Sequence, residues 1–321
     1  IPELKEKRCQ LLACDVTEVQ NHRRKQLVSC QISYLHAAEK RTKKASLVVK
    51  FYGEQGGDTA YRALQQLWQA NFKHPSRYRV PRPYGYTREQ AILIQARVTG
   101  TEWIKLLLDS QYDSHRATDR AALWLLRLQQ HPIDVLMITN KANRDAAVVT
   151  MNHQIQELAT SFPSAAARLE AVGQQLLQQH RTLLGGSPLV PSHGDYHPGN
   201  VLLTTTTTTV IDFDAFGLRD AAFDVGYCIA QLLSMSYFRT GCLAPGAKAA
   251  ARFWLTYRRH GGQAAWSDVV SWGTSTLLHV LHYTLCAMKA ARSDMLPWWL
   301  DTIGQWLSDP SPGILDSFSH H

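Results

Sequence analysis

The sequence predicts an α+β protein: a strand-rich first hundred residues containing one helix, then a longer and mainly helical remainder. Three observations predict it. Val28-Ser29-Cys30-Gln31-Ile32-Ser33-Tyr34 alternates with the period of two that a half-buried strand needs. Apolar residues recur at helical spacing through most of the chain after Thr101. Within that helical part, Leu189-Val190 and Val201-Leu202-Leu203 are short apolar runs suited to buried strands, and they bracket a polar loop.

Leu11 to Val19 and Gln26 to Leu35 read as two strands joined by Gln20-Asn21-His22-Arg23-Arg24-Lys25. Leu47-Val48-Val49-Lys50-Phe51-Tyr52 is a further apolar strand, with Lys50 the only lysine inside the run. Gly56-Gly57-Asp58 then introduces a helix over Thr59 to Phe72, with Ala60, Leu64, Leu67 and Trp68 on one face and Thr59 or Asp58 as its cap. Ala91 to Gly100 reads as a buried strand that breaks at Gly100. Helices are expected over Thr101 to Leu108, Ala117 to Gln130, Ala142 to Thr160, Ala165 to Leu184, Ala222 to Met235, Gly246 to His260, Ser267 to Ala291 and Pro297 to Leu307. Thr204 to Thr209 is the one low-complexity run. Threonine favours strands, so the run predicts a hairpin tip rather than disorder.

Composition bounds the function. The 321 residues exceed a usual single domain, and 45% hydrophobic residues can bury a sizeable core. No apolar run approaches the ~18 residues that read as a membrane span. Ile1-Pro2-Glu3-Leu4-Lys5 has no apolar signal core, and its lack of Met is expected of a processed or trimmed chain. The six cysteines contain no C-x-x-C pair and read as free thiols of a reducing, cytoplasmic setting. A net charge of +8 suits polyanionic ligands such as nucleoside triphosphates. No aromatic-basic motif for nucleic acid accompanies that charge.

The chemistry concentrates in Ser192-His193-Gly194-Asp195-Tyr196-His197-Pro198-Gly199-Asn200 and in Val210-Ile211-Asp212-Phe213-Asp214. Phosphoryl transfer needs a carboxylate to take or orient the proton of an attacking hydroxyl. It also needs amide and carboxylate oxygens to hold magnesium against phosphates. Asp195 and Asn200 stand five positions apart, the offset of Asp and Asn in the kinase catalytic loop H-R-D-x-x-x-x-N, and Asp212-Phe213 opens a D-F-x element. A hairpin through Thr204 to Thr209 would set Asn200 and Asp212 side by side at one metal. Taken alone, each of these residues is as well explained as a hydrogen-bonded structural group. Their coincidence, with Asp224 a helical distance further on, favours the catalytic reading.

These segments resemble the aminoglycoside phosphotransferase and choline kinase superfamily, with its H-G-D-x-x-x-x-N, I-D-F and later helical Asp. The strongest match covers about residues 188 to 230. The resemblance implies a protein-kinase-like two-lobed fold, with a small antiparallel β-sheet lobe over 1–99 that binds nucleotide. A larger helical lobe over 100–321 would carry catalysis and the acceptor. It further implies Asp195 as catalytic base, with His193, His197 and Asp224 supporting the loop. Asn200 and Asp212 become magnesium ligands, with Asp214 reaching a second metal through water. Asp224 would cap loop amides, and Arg219-Asp220 stands where the family has Gly-Asp. Lys50 becomes the strand lysine that binds phosphates, although a surface lysine among Arg41, Lys43 and Lys44 is the alternative. The main chain at Ala96 and Val98 would meet the adenine of ATP, with GTP as the alternative donor.

Two departures stand against the pattern. No Glu lies between Glu54 and Glu89, so the helix lacks the acid expected to pair with Lys50, and Ala60 takes its place. Asp58 or Glu54 substitutes, or phosphate alone holds the lysine, or activity is weak. The first glycine is Gly53, so the connection at 20–25 has no Gly-rich loop. Arg23, Arg24 and Lys25 either neutralise phosphate there as side chains or form a solvated basic turn.

The expected acceptor is a small-molecule hydroxyl. A peptide Ser or Thr, or a nucleotide-binding module without turnover, are the competing readings. No Glu follows Glu170, which counts against a polycationic acceptor. Trp266, Trp272, Tyr283, Trp298, Trp299 and Trp306 either pack the helical core or line a pocket for a quaternary amine.

Overall fold

The computed structural model describes residues 9–21, 25–36, 38–53, 56–132, 144–182, 187–289, 295–309 and 311–318. The chain is an α+β protein that divides into two compact units. One comprises the chain up to Thr101 together with Leu202–Phe216, and the other Glu102–Val201 with Gly217–His321. In sequence order the strand-rich unit holds β1 (Cys9–Asn21), β2 (Lys25–His36), β3 (Arg41–Tyr52), α1 (Asp58–Gln69), β4 (Tyr78–Arg79), β5 (Pro83–Thr87) and β6 (Ile92–Ala96). The short strand β7 (Thr101–Glu102) ends that stretch.

A five-stranded sheet runs β1-β2-β3-β6-β5, antiparallel throughout. Its register explains its two faces. Lys25 opposes Tyr52 and Leu27 opposes Lys50, so by the period-two rule Lys25, Lys50 and Tyr52 project to one side. The alternate residues Cys30, Ile32 and Leu47 form the apolar cluster on the other side, with Val49 and Ile94 packed against them. In α1, Ala60, Ala63, Leu64 and Leu67 bury one helical stripe. Neither expected cap is used. Gly57 is the N-cap with φ 91°, and Asp58 inside the first turn pairs instead with Arg62 at 2.8 Å.

Strand β6 is shorter than the sequence predicts. After Ala96 only the Arg97 N–H continues the ladder, to the Ser46 carbonyl at 2.9 Å. Gly100 then turns with φ 142°, and a Cβ there would lie 3.0 Å from the Leu203 carbonyl oxygen. β9 (Val201–Leu203) and β10 (Thr208–Val210) are neighbours in a second sheet, and β10 pairs in parallel with β4. The threonine run is an ordered tip, where the Thr204 N–H donates to the Thr207 carbonyl at 3.0 Å and their hydroxyls meet at 2.8 Å.

The helical unit contains α2 (Trp103–Leu108), α3 (Ser114–Gln129), α4 (Arg144–Ser161), α5 (Ala166–Thr182), α6 (Ala222–Thr240), α7 (Ala244–Arg259), α8 (Trp266–His282), α9 (Met295–Ser308) and α10 (Ile314–Ser317). The predicted helix from Ser267 breaks at His282 into a π-helical turn, Tyr283–Ala287. β8 (Leu189–Ser192) pairs antiparallel with β11 (Gly217–Asp220), a strand that the helical periodicity does not reveal. Trp103, Trp124, Trp299 and Trp306 are fully buried, as core packing requires.

Two contacts among the helices carry predictions. Gly246 lets α7 cross close to α6, because a Cβ there would lie 2.3 Å from the Leu232 carbonyl oxygen. Gly246→Ala is expected to destabilise the chain by about 1–3 kcal/mol in denaturant unfolding. On α3, Asp119 accepts two bonds from Arg252 of α7, at 2.6 and 2.5 Å, and one from Thr256 at 2.6 Å. Burial pushes the Asp119 carboxyl up, but Arg252 and Thr256 outweigh burial and hold it below its ordinary value. A depressed folded-state pKa contributes stability above the unfolded value of about 3.9 that is lost as pH falls through the folded one. Acid titration of stability should therefore show a loss below about pH 4 that is smaller in Asp119→Asn than in the wild type.

Candidate active site

The loop His193–Asn200 leaves β8 and is fixed from beneath by the first turn of α6. Asp224, fully buried, accepts the His193 N–H at 2.7 Å and the Gly194 N–H at 2.9 Å. Gly194 takes the left-handed φ of 81° that this turn needs. Asp220 accepts the Ala222 N–H at 2.8 Å and so starts α6 where Asp224 can reach the loop. Within the loop, the Asp195 N–H donates to His193 Nδ1 at 3.3 Å and the Gly199 N–H to His197 Nδ1 at 3.0 Å. Tyr196 is buried, stacks on Trp124 at 5.8 Å and donates its hydroxyl to the Ala121 carbonyl at 2.8 Å.

These anchors leave Asp195 with defined partners. The Tyr227 hydroxyl donates to Asp195 Oδ1 at 2.6 Å. Asn200 Nδ2 donates to the Asp195 carbonyl at 3.0 Å and to Oδ2 at 3.3 Å, and His197 Nε2 lies 3.7 Å from Oδ2. Burial and then the Asp195 charge push the Tyr227 hydroxyl well above its ordinary pKa, so it remains a donor. Burial and His282 lower the pKa of His279, against an upward pull from Asp195.

In the strand-rich unit, Asp212 follows β10 in a left-handed conformation, φ 68° and ψ 69°, which Asp tolerates better than most residues. Phe213 beside it is buried. Lys50 Nζ donates to Asp212 Oδ1 at 2.6 Å and to Asp214 Oδ1 at 3.0 Å. Lys25 Nζ reaches both Asp212 oxygens, at 3.0 and 2.9 Å, and Asp214 Oδ2 at 2.6 Å. The Tyr52 hydroxyl donates to Asp214 Oδ1 at 2.6 Å. Burial pushes the Asp212 carboxyl up, but Lys50 and Lys25 outweigh it and hold it well below the usual carboxylate range. Burial works against the Lys25 charge, and Asp212 and Asp214 outweigh it to hold that ammonium above its ordinary pKa.

The cluster answers the question of the missing helix acid. Lys50 is paired, but by Asp212 and Asp214. Asp58 is engaged with Arg62, and Glu54, Arg23 and Arg24 lie outside the described residues. Ala60 is packed in the core at 1% exposure. One ammonium touching both carboxylates shows that a single cation reaches oxygens of each. Among the described residues no group of three His, Cys, Asp or Glu is arranged to hold a metal. Two carboxylates completed by phosphate and water suit magnesium.

Of the expected nucleotide contacts, Ala96 donates its N–H to the Arg82 carbonyl at 2.8 Å, and Val98 is half-buried beyond the end of β6. Of the candidate acceptor aromatics, Trp299 and Trp306 are fully buried and Trp272 nearly so, whereas Trp298 stacks on Tyr237 at 4.1 Å and Tyr283 is exposed. Sequence reasoning missed Tyr227 and Tyr52. A signal for Tyr227 existed, since it lies three residues after Asp224 and so shares its helix face.

Comparison with known proteins supplies a family. The sequence profile described as "Phosphotransferase enzyme family" matches residues 35–266. No curated protein matches the sequence significantly. Among solved structures, a choline/ethanolamine kinase family protein from Mesorhizobium loti is similar with a TM-score of 0.55 at 12% identity, covering 95% of this chain and 92% of its own. A choline kinase from Cryptosporidium parvum Iowa II gives 0.56 at 11% identity, covering 96% and 94%. An amicoumacin kinase in complex with AMP-PNP, Ca2+ and Ami gives 0.53 at 12% identity, covering 94% and 88%. At such identities the likeness establishes a kinase-like fold. Among the described residues no helix is long and apolar enough to cross a membrane.

Asp224→Ala removes the shared acceptor of two buried N–H groups. It is expected to cost about 2–4 kcal/mol in chemical denaturation, since a charged acceptor is lost and two donors are left unpaired.

Proposed function

The chain belongs to the phosphotransferase enzyme family, and on that premise we propose that it moves the γ-phosphoryl group of ATP to a hydroxyl of a small molecule. The observation that carries the reading is the cluster of Lys50, Asp212 and Asp214. A buried strand lysine and two carboxylates, joined by contacts of 2.6 and 3.0 Å, are the groups that triphosphate and magnesium require.

Each residue then has a role. Asp195 accepts the hydrogen of the acceptor hydroxyl. Its proton passes to the carboxylate as the oxygen bonds to γ-phosphorus and the bond from phosphorus to the β-bridging oxygen breaks, releasing ADP. Tyr227 and Asn200 hold the carboxylate in one orientation, which converts an encounter into a positioned attack. His193, His197 and Asp224 support the loop that presents it. Asn200 and Asp212, with Asp214, would hold magnesium, which when bound offsets phosphate charge. Lys50 meets the α- and β-phosphates, and the main chain at Ala96 and Val98 meets the base.

On this reading the strand-rich unit binds the nucleotide and the helical unit the acceptor. The absence of Glu after Glu170 disfavours polycationic acceptors. A neutral or anionic alcohol is the class to screen first.

Two variants test the reading. Asp195→Ala should lower transfer by about 10²–10⁴-fold while nucleotide still binds, because general base catalysis is worth that much. Asp212→Ala should lose the magnesium-dependent thermal stabilisation that ATP or GTP gives the wild type. Full turnover by Asp195→Ala on a verified acceptor would refute the assignment.

A further inference from the structure

We propose that Lys25 is an exchangeable counter-ion, held by Asp212 and Asp214 until a metal–nucleotide complex arrives and then transferred to its phosphates. The inference rests on the function proposed above and adds a residue that the sequence left between phosphate binding and a solvated turn.

The two lysines of the cluster are not equivalent. Lys50 sits within β3, with its side chain 5% exposed, and touches one oxygen of each carboxylate. Lys25 is the first residue of β2, with its side chain 18% exposed, and it touches three of the four carboxylate oxygens. Magnesium binds such oxygens at about 2.0–2.1 Å. It therefore competes with the Lys25 ammonium for the same lone pairs, and the two positive charges repel at that range. Lys50 can stay, because its contacts leave Asp212 Oδ2 and Asp214 Oδ2 to the newcomer.

The competition favours one form of the incoming cation. Bare metal displaces Lys25 and offers the ammonium no new partner. A metal–triphosphate complex brings phosphate oxygens with it, and a lysine side chain at the start of a strand is long enough to follow them. In this way the side chain supplies what backbone N–H groups supply in a Gly-rich loop, a loop this chain lacks before Gly53. The protein should then bind metal and nucleotide together, and bare metal poorly.

The test compares the wild type with Lys25→Met and Lys25→Arg. Bare Mn2+ binding is read by electron paramagnetic resonance of the free ion, and Mg–AMP-PNP binding by calorimetry. In Lys25→Met, bare Mn2+ should bind at least about tenfold tighter and Mg–AMP-PNP at least about tenfold weaker, whereas Lys25→Arg keeps bare Mn2+ weak. Lys25→Gln repeats the comparison if Lys25→Met does not fold. Unchanged Mn2+ affinity in the neutral variant, with wild-type Mg–AMP-PNP binding intact and lost in Asp212→Ala, overturns the exchange alone. Failure of the wild type to bind Mg–AMP-PNP overturns the functional reading and the exchange together.

Discussion

Two carboxylates in one short turn, Asp212 and Asp214, share two ammonium groups, and the strand-rich unit is built around that balance. Partly buried charges need partners, because leaving one unpaired costs several kcal/mol. The partners come from one face of the β2–β3 ladder, where Lys25, Lys50 and Tyr52 fall on alternate positions. The opposite face carries Cys30, Ile32 and Leu47 into the apolar cluster. A slip of one residue would exchange the two faces, burying lysines among apolar side chains and losing both carboxylate pairs. Sheet register and the charge cluster therefore specify each other, and they support Asp212 in its left-handed conformation.

Around the loop His193–Asn200, the carboxylates are held mainly by neutral donors. Asp224 is fully buried, and its carboxylate accepts two backbone N–H groups, with the Arg219 charge acting on it as well. Asp195 takes a hydroxyl from Tyr227 and an amide from Asn200. The difference has a chemical consequence. A carboxylate held by ammonium groups sits where a cation binds, whereas one oriented by neutral donors is fixed in place to meet a hydroxyl. The two strategies match the two roles proposed: a cation site in one unit and a proton acceptor in the other.

What the sequence made legible follows from distance along the chain. The span from His193 to Asn200 places its reacting groups within one loop, so spacing alone exposes the pattern. Lys50 stands out as the single lysine of the apolar run Leu47 to Tyr52. Its partner does not, because Asp212 lies 162 residues away and only tertiary structure brings the two together. The same holds for Lys25, 187 residues from Asp212. The aromatic residues of the last third were ambiguous for another reason. A tryptophan that packs a core and one that lines a pocket occupy the same helical positions, and only burial separates Trp306 from Tyr283.

The absent helix acid shows how a departure from a family pattern changes what can move. In the kinase arrangement the strand lysine pairs with a helix Glu, so helix position governs whether the lysine is set. Here the corresponding helix presents Ala60 to the core, and both acids that hold Lys50 come from the turn after β10. That turn packs directly against α1. Displacing α1 breaks no direct ion pair with Lys50, and α1 acts on the lysine only through the turn that it packs against. Control over the charge of the site passes from a helix to the partners competing for Asp212 and Asp214, and Lys25 is the more exposed of the two lysines that hold them.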